Sequence, residues 1–282
     1  MLKIAFQGER GAYSEAAAIA YFGTTIETVP CTAFEDVFVS VEAGRAEHGI
    51  IPIENSLAGS IHRNYDLLLR HALHIVGEKV FRVEHCLIAH PEASITDIRH
   101  VWSHPQALAQ CENYIKKMGA VIEAAYDTAG SVKLLKESGR KDVAAIASKH
   151  AAEIYAMKIL AQGIEDDAAN FTRFLILGLQ FDASSSFMAE PTDRANRTSI
   201  VFSLRNLPGA LFKALSVFTL RDIDLTKIES RPIPGKTWEY SFYLDFAGHE
   251  AEPVSARALE HLREITTMLR VLGSYPRDDN GG

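Results

Sequence analysis

Thr172 and Arg173 open an apolar run, Phe174-Leu175-Ile176-Leu177, with the continuity of a buried strand. A hydroxyl and a guanidinium at the mouth of such a strand have two explanations. Arg173 pairs with a local carboxylate, Asp166 or Asp167. Alternatively, its planar fork of donors holds a substrate carboxylate through two parallel hydrogen bonds. Three other stretches have the composition of a ligand-binding corner. Gly8-Glu9-Arg10-Gly11-Ala12-Tyr13-Ser14 is a glycine-containing turn in which Ser14 can cap the helix that follows. Glu54-Asn55-Ser56 closes a second apolar run, and Ser56 either caps the next helix or also touches a ligand. Asp127-Thr128-Ala129-Gly130-Ser131 is a third small polar turn. Helix-start N–H groups at such turns attract anions. Gly8-x-x-Gly11 lacks the third glycine of a dinucleotide fingerprint, so an ordinary strand-to-helix turn is the competing explanation there.

Other chemistries find little support. The cysteines Cys31, Cys86 and Cys111 are odd in number and widely spaced, with no Cys-x-x-Cys and no histidine at ligand distance in sequence. His71 and His74 are three apart, but no third ligand lies nearby. Neither a metal nor another cofactor is expected, and neither is a disulfide framework. The 282 residues are 47% hydrophobic and 23% charged, with net charge −7, and no basic block suggests a nucleic-acid partner. No apolar run approaches the ~18 residues of a membrane span. The chain enters a strand pattern at Leu2 without a charged leader and apolar segment, which predicts a soluble cytoplasmic protein.

The elements that must position these residues alternate. Strands are expected at 2–7, 26–29, 48–53, 73–76, 80–89, 100–102, 121–126, 143–147 and 174–177. Helices are expected at 15–21, from the capping-box form Thr32-Ala33-Phe34-Glu35 to Ala43, at 60–71, from Ser103 to Met118, after Ser131 to Glu137, and from Ser148 to Leu160. This alternation implies an α/β fold with a mainly parallel sheet, whose ligands sit at the carboxyl ends of strands. Residues 78–162 read as an inserted second lobe, with 1–77 and 163–182 as the first. The polar turns then face each other across a cleft. A polar, serine-rich linker is expected at 183–197. Strand, helix, strand, strand, helix, strand follow over 198–276, a ferredoxin-like sandwich, with a disordered tail at 277–282.

These blocks carry a resemblance. Asn170-Phe171-Thr172-Arg173-Phe174, Pro52-Ile53-Glu54-Asn55-Ser56, Gly59-Ser60-Ile61 and Asp127-Thr128-Ala129-Gly130 resemble motifs of the prephenate dehydratase family. Leu207-Pro208-Gly209-Ala210-Leu211 and Ile228-Glu229-Ser230-Arg231-Pro232 resemble the two phenylalanine-site motifs of its C-terminal ACT domain. The joint occurrence covers nearly the whole chain. Gly11-Ala12-Tyr13-Ser14-Glu15, Arg63 to Arg70, Ser103 to Leu108 and Leu269 to Pro276 look like the plant arogenate dehydratase branch. Two features depart from it: no transit peptide is visible, which favours a bacterial-type cytoplasmic protein, and Thr128 to Val132 is less alanine-rich than expected.

The resemblance implies a two-lobed periplasmic-binding-protein-like catalytic domain that removes carbon dioxide and the ring hydroxyl from prephenate. Thr172, Arg173, Asn55 and Ser56 would be catalytic. Gly11, Ala12, Thr128, Ala129, Gly130, Ser131 and Phe174 would bind substrate. Thr172 would face the leaving hydroxyl with Asn55 behind it, while Glu54 is either a proton source or the structural partner of an arginine. Phenylalanine would bind in a homodimer or homotetramer at a subunit interface, through Asn206, Pro208, Gly209, Ala210, Leu211, Glu229, Ser230, Arg231 and Pro232. The substrate would be prephenate, or arogenate, its aminated analogue. Two non-catalytic readings of the same layout are a solute-binding protein and an amino-acid sensor.

Overall fold

The computed structural model describes residues 1–179, 196–233 and 235–278. The linker expected at 183–197 and the tail expected at 277–282 lie mostly outside them. β1 (Leu2–Gln7), α1 (Tyr13–Phe22), β2 (Ile26–Cys31), α2 (Phe34–Glu42) and β3 (His48–Asn55) alternate as the hydropathy implies. β1 pairs in parallel with both β2 and β3. Its centre, Ile4-Ala5-Phe6, is wholly buried, as a strand covered on both faces requires. β3 then turns back as a hairpin onto β4 (Gly59–Ser60), pairing Glu54 with Ser60 and Asn55 with Gly59. α3 (His62–Arg70) and β5 (His74–Arg82) follow.

β6 (Cys86–Ala89), β7 (His100–Ser103), α4 (Pro105–Gln110), α5 (Glu112–Met118), β8 (Val121–Ala124), α6 (Thr128–Ser138), β9 (Val143–Ala147), α7 (Lys149–Tyr155) and β10 (Lys158–Gln162) build a second sheet. Its order is β10-β6-β9-β7-β8. β7 runs parallel to β8 and β9, while β6 is antiparallel to β9 and β10. β11 (Phe171–Gly178) returns to the first sheet, of order β2-β1-β3-β11-β5 with β4 beside β3.

β12 (Asn196–Ser203), α8 (Ala210–Thr219), β13 (Leu225–Pro232), β14 (Tyr240–Ala247), α9 (Pro253–Ile265) and β15 (Met268–Pro276) form the expected βαββαβ sandwich. Its antiparallel sheet has the order β13-β14-β12-β15. Ile200, Phe202, Leu244 and Phe246 point to one face, where Ala214, Val217, Phe218, Ala258 and Leu262 of the two helices cover them.

By contacts the described chain forms two compact units, Met1–Ser60 with Val80–Phe174, and Ile61–Lys79 with Leu175 onward. Within the second, α3 lies against the sandwich. Tyr243 Oη donates to Tyr65 O at 2.7 Å, and the Arg231 guanidinium grips both Asp66 oxygens at 3.1 and 2.9 Å.

Several boundaries differ from the sequence expectation for local reasons. α1 begins at Tyr13, with Ala12 at its cap position, so Ser14 lies inside the helix and caps nothing. Ser56 sits in the β3–β4 hairpin, so it does not cap a helix either. The long helix expected from Ser103 breaks at Cys111 into α4 and α5. α7 stops where Ala156 turns left-handed, φ 55°, and the chain continues as β10 instead of helix. β5 is one strand through Gly77. Asp278, expected in the disordered tail, is held by Lys79 at 2.8 Å and donates its N–H to Glu78 Oε1.

Candidate active site

β1 and β3 are parallel, so Gln7 and Asn55 end at one edge of the first sheet. β11 starts at that same edge, where Ser56 N–H donates to Phe171 O at 2.8 Å. Here Asn55, Asn170 and Thr172 meet, all nearly buried at 6%, 0% and 8% exposure. Asn55 Oδ1 accepts the backbone N–H groups of Leu57 and Ala58, at 3.1 and 2.9 Å. These two bonds set the orientation of the Asn55 amide. Its Nδ2 therefore donates: to Asn170 Oδ1 at 2.7 Å, Thr172 Oγ1 at 3.0 Å and Phe171 O at 3.1 Å. Because Thr172 Oγ1 accepts from Asn55, its own proton is left to donate elsewhere.

The other expected site residues fall into distinct places. Ser56 Oγ donates to Ala169 O at 2.7 Å and accepts Phe171 N–H at 3.0 Å, so its hydroxyl stitches the hairpin to the start of β11. Successive side chains of a strand point to opposite faces. Thr172 and Phe174 share the buried face of β11, with Phe174 only 2% exposed in the core, whereas Arg173 is half-buried on the other face. Phe174 thus supports the strand from within, in place of the substrate contact expected of it.

Gly11 is buried and tightly packed. Its N–H donates to Glu15 Oε2 at 2.5 Å, and its carbonyl accepts from Ser148 Oγ at 2.6 Å. These contacts bring the loop after β1 against the start of α7. Lys133 Nζ meets Glu9 Oε2 at 3.1 Å, and Tyr126 Oη donates to Thr32 O at 3.2 Å. The β8–α6 corner therefore also borders the loops of the first sheet. At that corner Asp127 caps α6 by accepting Gly130 N–H. A Cβ on Gly130 would come within 3.0 Å of that carboxylate, which explains the glycine. Ala129 and Ser131 are wholly buried, and Ser131 Oγ donates to Thr128 O at 2.5 Å. At this corner Asp127 already takes the N–H groups of Gly130 and Ser131, and Ala12 N–H donates to Glu9 O at 3.1 Å.

Electrostatics distinguish the buried acids. Burial raises the Asp127 carboxyl above its ordinary range, and the Glu9 charge adds to the effect against the Gly130 N–H. Glu15 is almost wholly hidden, at 1% exposure, whereas Asp127 is partly exposed, and burial pushes Glu15 up as well. His150, the Gly11 amide and the Thr28 hydroxyl together outweigh burial and hold it below its ordinary value. His85 Nδ1 lies 2.8 Å from Tyr13 Oη and Nε2 lies 2.9 Å from Gln110 Oε1, while burial lowers the imidazole's proton affinity. Asn170 joins Asn55 and Thr172 in this cluster although it is not among the expected site residues. The one available signal was a polar side chain beside a buried strand. Among the described residues no group of three or more His, Cys, Asp or Glu side chains is placed to hold a metal ion, and no helix is long and apolar enough to cross a membrane.

In the sandwich, Gly209 adopts φ 77° and precedes α8. The turn from Asn206 to Leu211 borders two cavities. One, of about 120 Å³, is lined by Asn206, Leu207, Leu211, Trp238 and Tyr240 among others. The other, of about 570 Å³, reaches Arg205, Pro208, Lys213, Glu264 and Thr266. Glu229 pairs with His62 at 3.2 Å and Arg231 with Asp66, so both face α3. In register they oppose Tyr243 and Ser241, whereas Phe242 and Leu244 point to α8 and α9. Ser230 and Pro232 are exposed on the helix-side register. The two expected halves of the phenylalanine site are therefore split: Glu229 and Arg231 lie on the sheet face opposite α8.

The paired sheets with loops at one edge, joined to a βαββαβ sandwich, define a periplasmic-binding-protein-like α/β enzyme with an ACT domain. A model described as prephenate dehydratase matches residues 4–181 and an ACT-domain model matches 198–264. The chloroplastic arogenate dehydratase/prephenate dehydratase 2 of Arabidopsis thaliana is 51% identical over 98% of this chain and 73% of its own length. The prephenate dehydratase of Arthrobacter aurescens, solved in complex with L-Phe, superposes with TM-score 0.88 at 31% identity over 99% of this chain and 91% of that one. A structure described as GqqA, a novel type of quorum quenching acylase, superposes with TM-score 0.89 at 37% identity over 98% of each chain.

The chain belongs to the prephenate dehydratase family, and its enzyme class is that of a dehydratase, a carbon–oxygen lyase. The chloroplastic relative overturns the expectation of a cytoplasmic protein. Core composition and an early strand carry no address, because targeting segments are separate from the folded domain they accompany.

Proposed function

We propose that the chain converts prephenate to phenylpyruvate, carbon dioxide and water. The ring C–CO₂ bond breaks, its electron pair completes the aromatic ring, and the ring hydroxyl leaves as hydroxide that takes up one proton. The reading is carried by the orientation of Thr172, whose oxygen accepts from Asn55 and whose proton is left to donate. A donor aimed at the leaving oxygen stabilises charge as it develops and costs no reorganisation. Asn55 supports the threonine oxygen when its proton moves outward. Arg173 supplies a carboxylate contact. Glu54 adds a further polar group at the same strand end.

The kinetic test separates chemistry from binding. Thr172→Ala should lower kcat by about a hundredfold or more and leave KM nearly unchanged, the size expected for one lost oxyanion donor. Arg173→Lys should mainly raise KM. Full turnover by Thr172→Ala sinks the assignment.

Arogenate is the second reading, favoured by the name of the Arabidopsis relative. It would yield phenylalanine by the same bond changes. Initial rates on both substrates, read as ultraviolet absorbance of phenylpyruvate and as phenylalanine by chromatography, decide the preference. The ACT domain is proposed to bind phenylalanine at the Asn206–Leu211 turn in a homo-oligomer, a reading supported by the L-Phe complex of the Arthrobacter protein. Calorimetry with phenylalanine, an inhibition curve and a solution mass test it. No heat and no change in rate would leave the domain a dimerising module.

A further inference from the structure

We propose that Asn170 is a positioning residue of the dehydration, acting through Asn55 to set the proton direction of Thr172; this rests on the functional reading above. Asn55 has two N–H bonds on Nδ2 and three oxygens within 3.1 Å of that atom. The nearest is Asn170 Oδ1 at 2.7 Å, which takes one N–H and leaves the other for the Thr172 side. Asn55 cannot flip, because Leu57 and Ala58 N–H already point at its Oδ1. Asn170 cannot flip either: its own N–H groups would then oppose those of Asn55. The two backbone amides hold the Oδ1 end of Asn55, and Asn170 Oδ1 holds one N–H of its Nδ2 end, which directs the other N–H to Thr172.

The backbone carbonyl of Asn170 accepts Val83 N–H at 2.8 Å, but the rest of its side chain has no comparable task. Its Nδ2 is buried without a hydrogen-bond partner among the described residues, and the side chain is 0% exposed. Unmet buried donors are costly. An amide whose donors are idle is therefore placed there for its oxygen. An aspartate would offer that same oxygen to Asn55 whether its carboxyl is charged or neutral, and would carry fewer idle donors. Alanine would remove the oxygen, letting the Asn55 amide swing toward Phe171 O and away from Thr172. Because Asn170 is fully buried, it acts on the reacting atoms only through this relay.

The test is steady-state kinetics on the full chain with prephenate and arogenate, alongside thermal melts by circular dichroism. Asn170→Ala should lower kcat by about a hundredfold with KM changed by less than about threefold, as misplacing a reacting group does. Asn170→Asp should restore kcat to within about fivefold of the wild type, since the acceptor is retained. Adding Asn170→Ala to Asn55→Ala should cost less than about twofold more, because residues acting in series are non-additive. The proposal is overturned if Asn170→Asp is as slow as Asn170→Ala while melting normally, if the two alanine effects multiply, or if the loss lies in KM. Should Asn170→Ala fail to fold, Asn170→Asp alone decides: near-native kcat supports the relay, and a hundredfold loss in a folded variant overturns it. A wild type inactive on both substrates overturns the functional reading itself, a result separable from all of these.

Discussion

Gly11 holds φ at +91°, and a Cβ built there would lie 2.6 Å from Ala151 Cα. Both the conformation and the close approach demand glycine. Gly11→Ala should destabilise the protein by more than ~1 kcal/mol, from a φ penalty together with displacement of α7. A urea melt shifted by less than this would show that the loop relaxes freely. The glycine could be recognised in the sequence as punctuation between β1 and α1. Its actual partner, Ala151, is 140 positions away and no local pattern points to it. Thr172 differs in kind. A hydroxyl at the mouth of a buried strand is conspicuous in sequence, and so is Asn55 at the end of another. Their 3.0 Å bond follows only from the antiparallel meeting of β3 and β11. Asn170 was hidden because its burial, which gives it meaning, is tertiary.

At the scale of elements, α3 and β13 share a bidentate ion pair, Arg231 with Asp66, both partly exposed. Asp66 raises the proton affinity of the guanidinium further, against a small cost of burial. A double-mutant cycle of Asp66→Ala and Arg231→Ala in urea melts should give a coupling of about 0.5–1 kcal/mol, toward the upper end for exposed pairs because the geometry is bidentate. The measurement is made without phenylalanine. A residue serving only a ligand pocket would leave the ligand-free melt unchanged, so zero coupling returns Arg231 to the pocket. Most elements were legible because strand and helix periods are strong signals: β1, α2, β9 and the whole βαββαβ order were readable. β4 and β10 were not. β4 has two residues, and β10 depends on Ala156 taking a left-handed turn that an alanine does not advertise. The alternation of Glu229 and Arg231 with Ser230 and Pro232 was visible, but which face met α3 was not.

For the molecule as a whole, acid stability should be governed by buried groups. His85 is 1% exposed, and burial lowers its proton affinity from the ordinary 6.5, with Gln110 and Glu165 only partly opposing. The unfolded chain therefore binds a proton near pH 6.5 that the folded chain refuses. Stability is complete above that pH and falls as pH drops below it. Glu15 has the complementary sign: burial raises it, but His150, Gly11 and Thr28 bring it below 4.5. Its contribution is present above 4.5 and is lost only as pH falls through the lower folded value. The melting temperature should therefore decline in two stages, first from His85 and then from Glu15. Differential scanning calorimetry at half-unit steps from pH 8 to 3.5 resolves them. His85→Gln should flatten the stage that begins below pH 6.5 while leaving the lower one. Glu15→Gln should lower the melting temperature at pH 7, with the difference from wild type shrinking as the carboxylate of the wild type is titrated. An undiminished upper stage in His85→Gln would assign it to other histidines, and a pH-independent deficit in Glu15→Gln would mean that its hydrogen bonds do not depend on its charge.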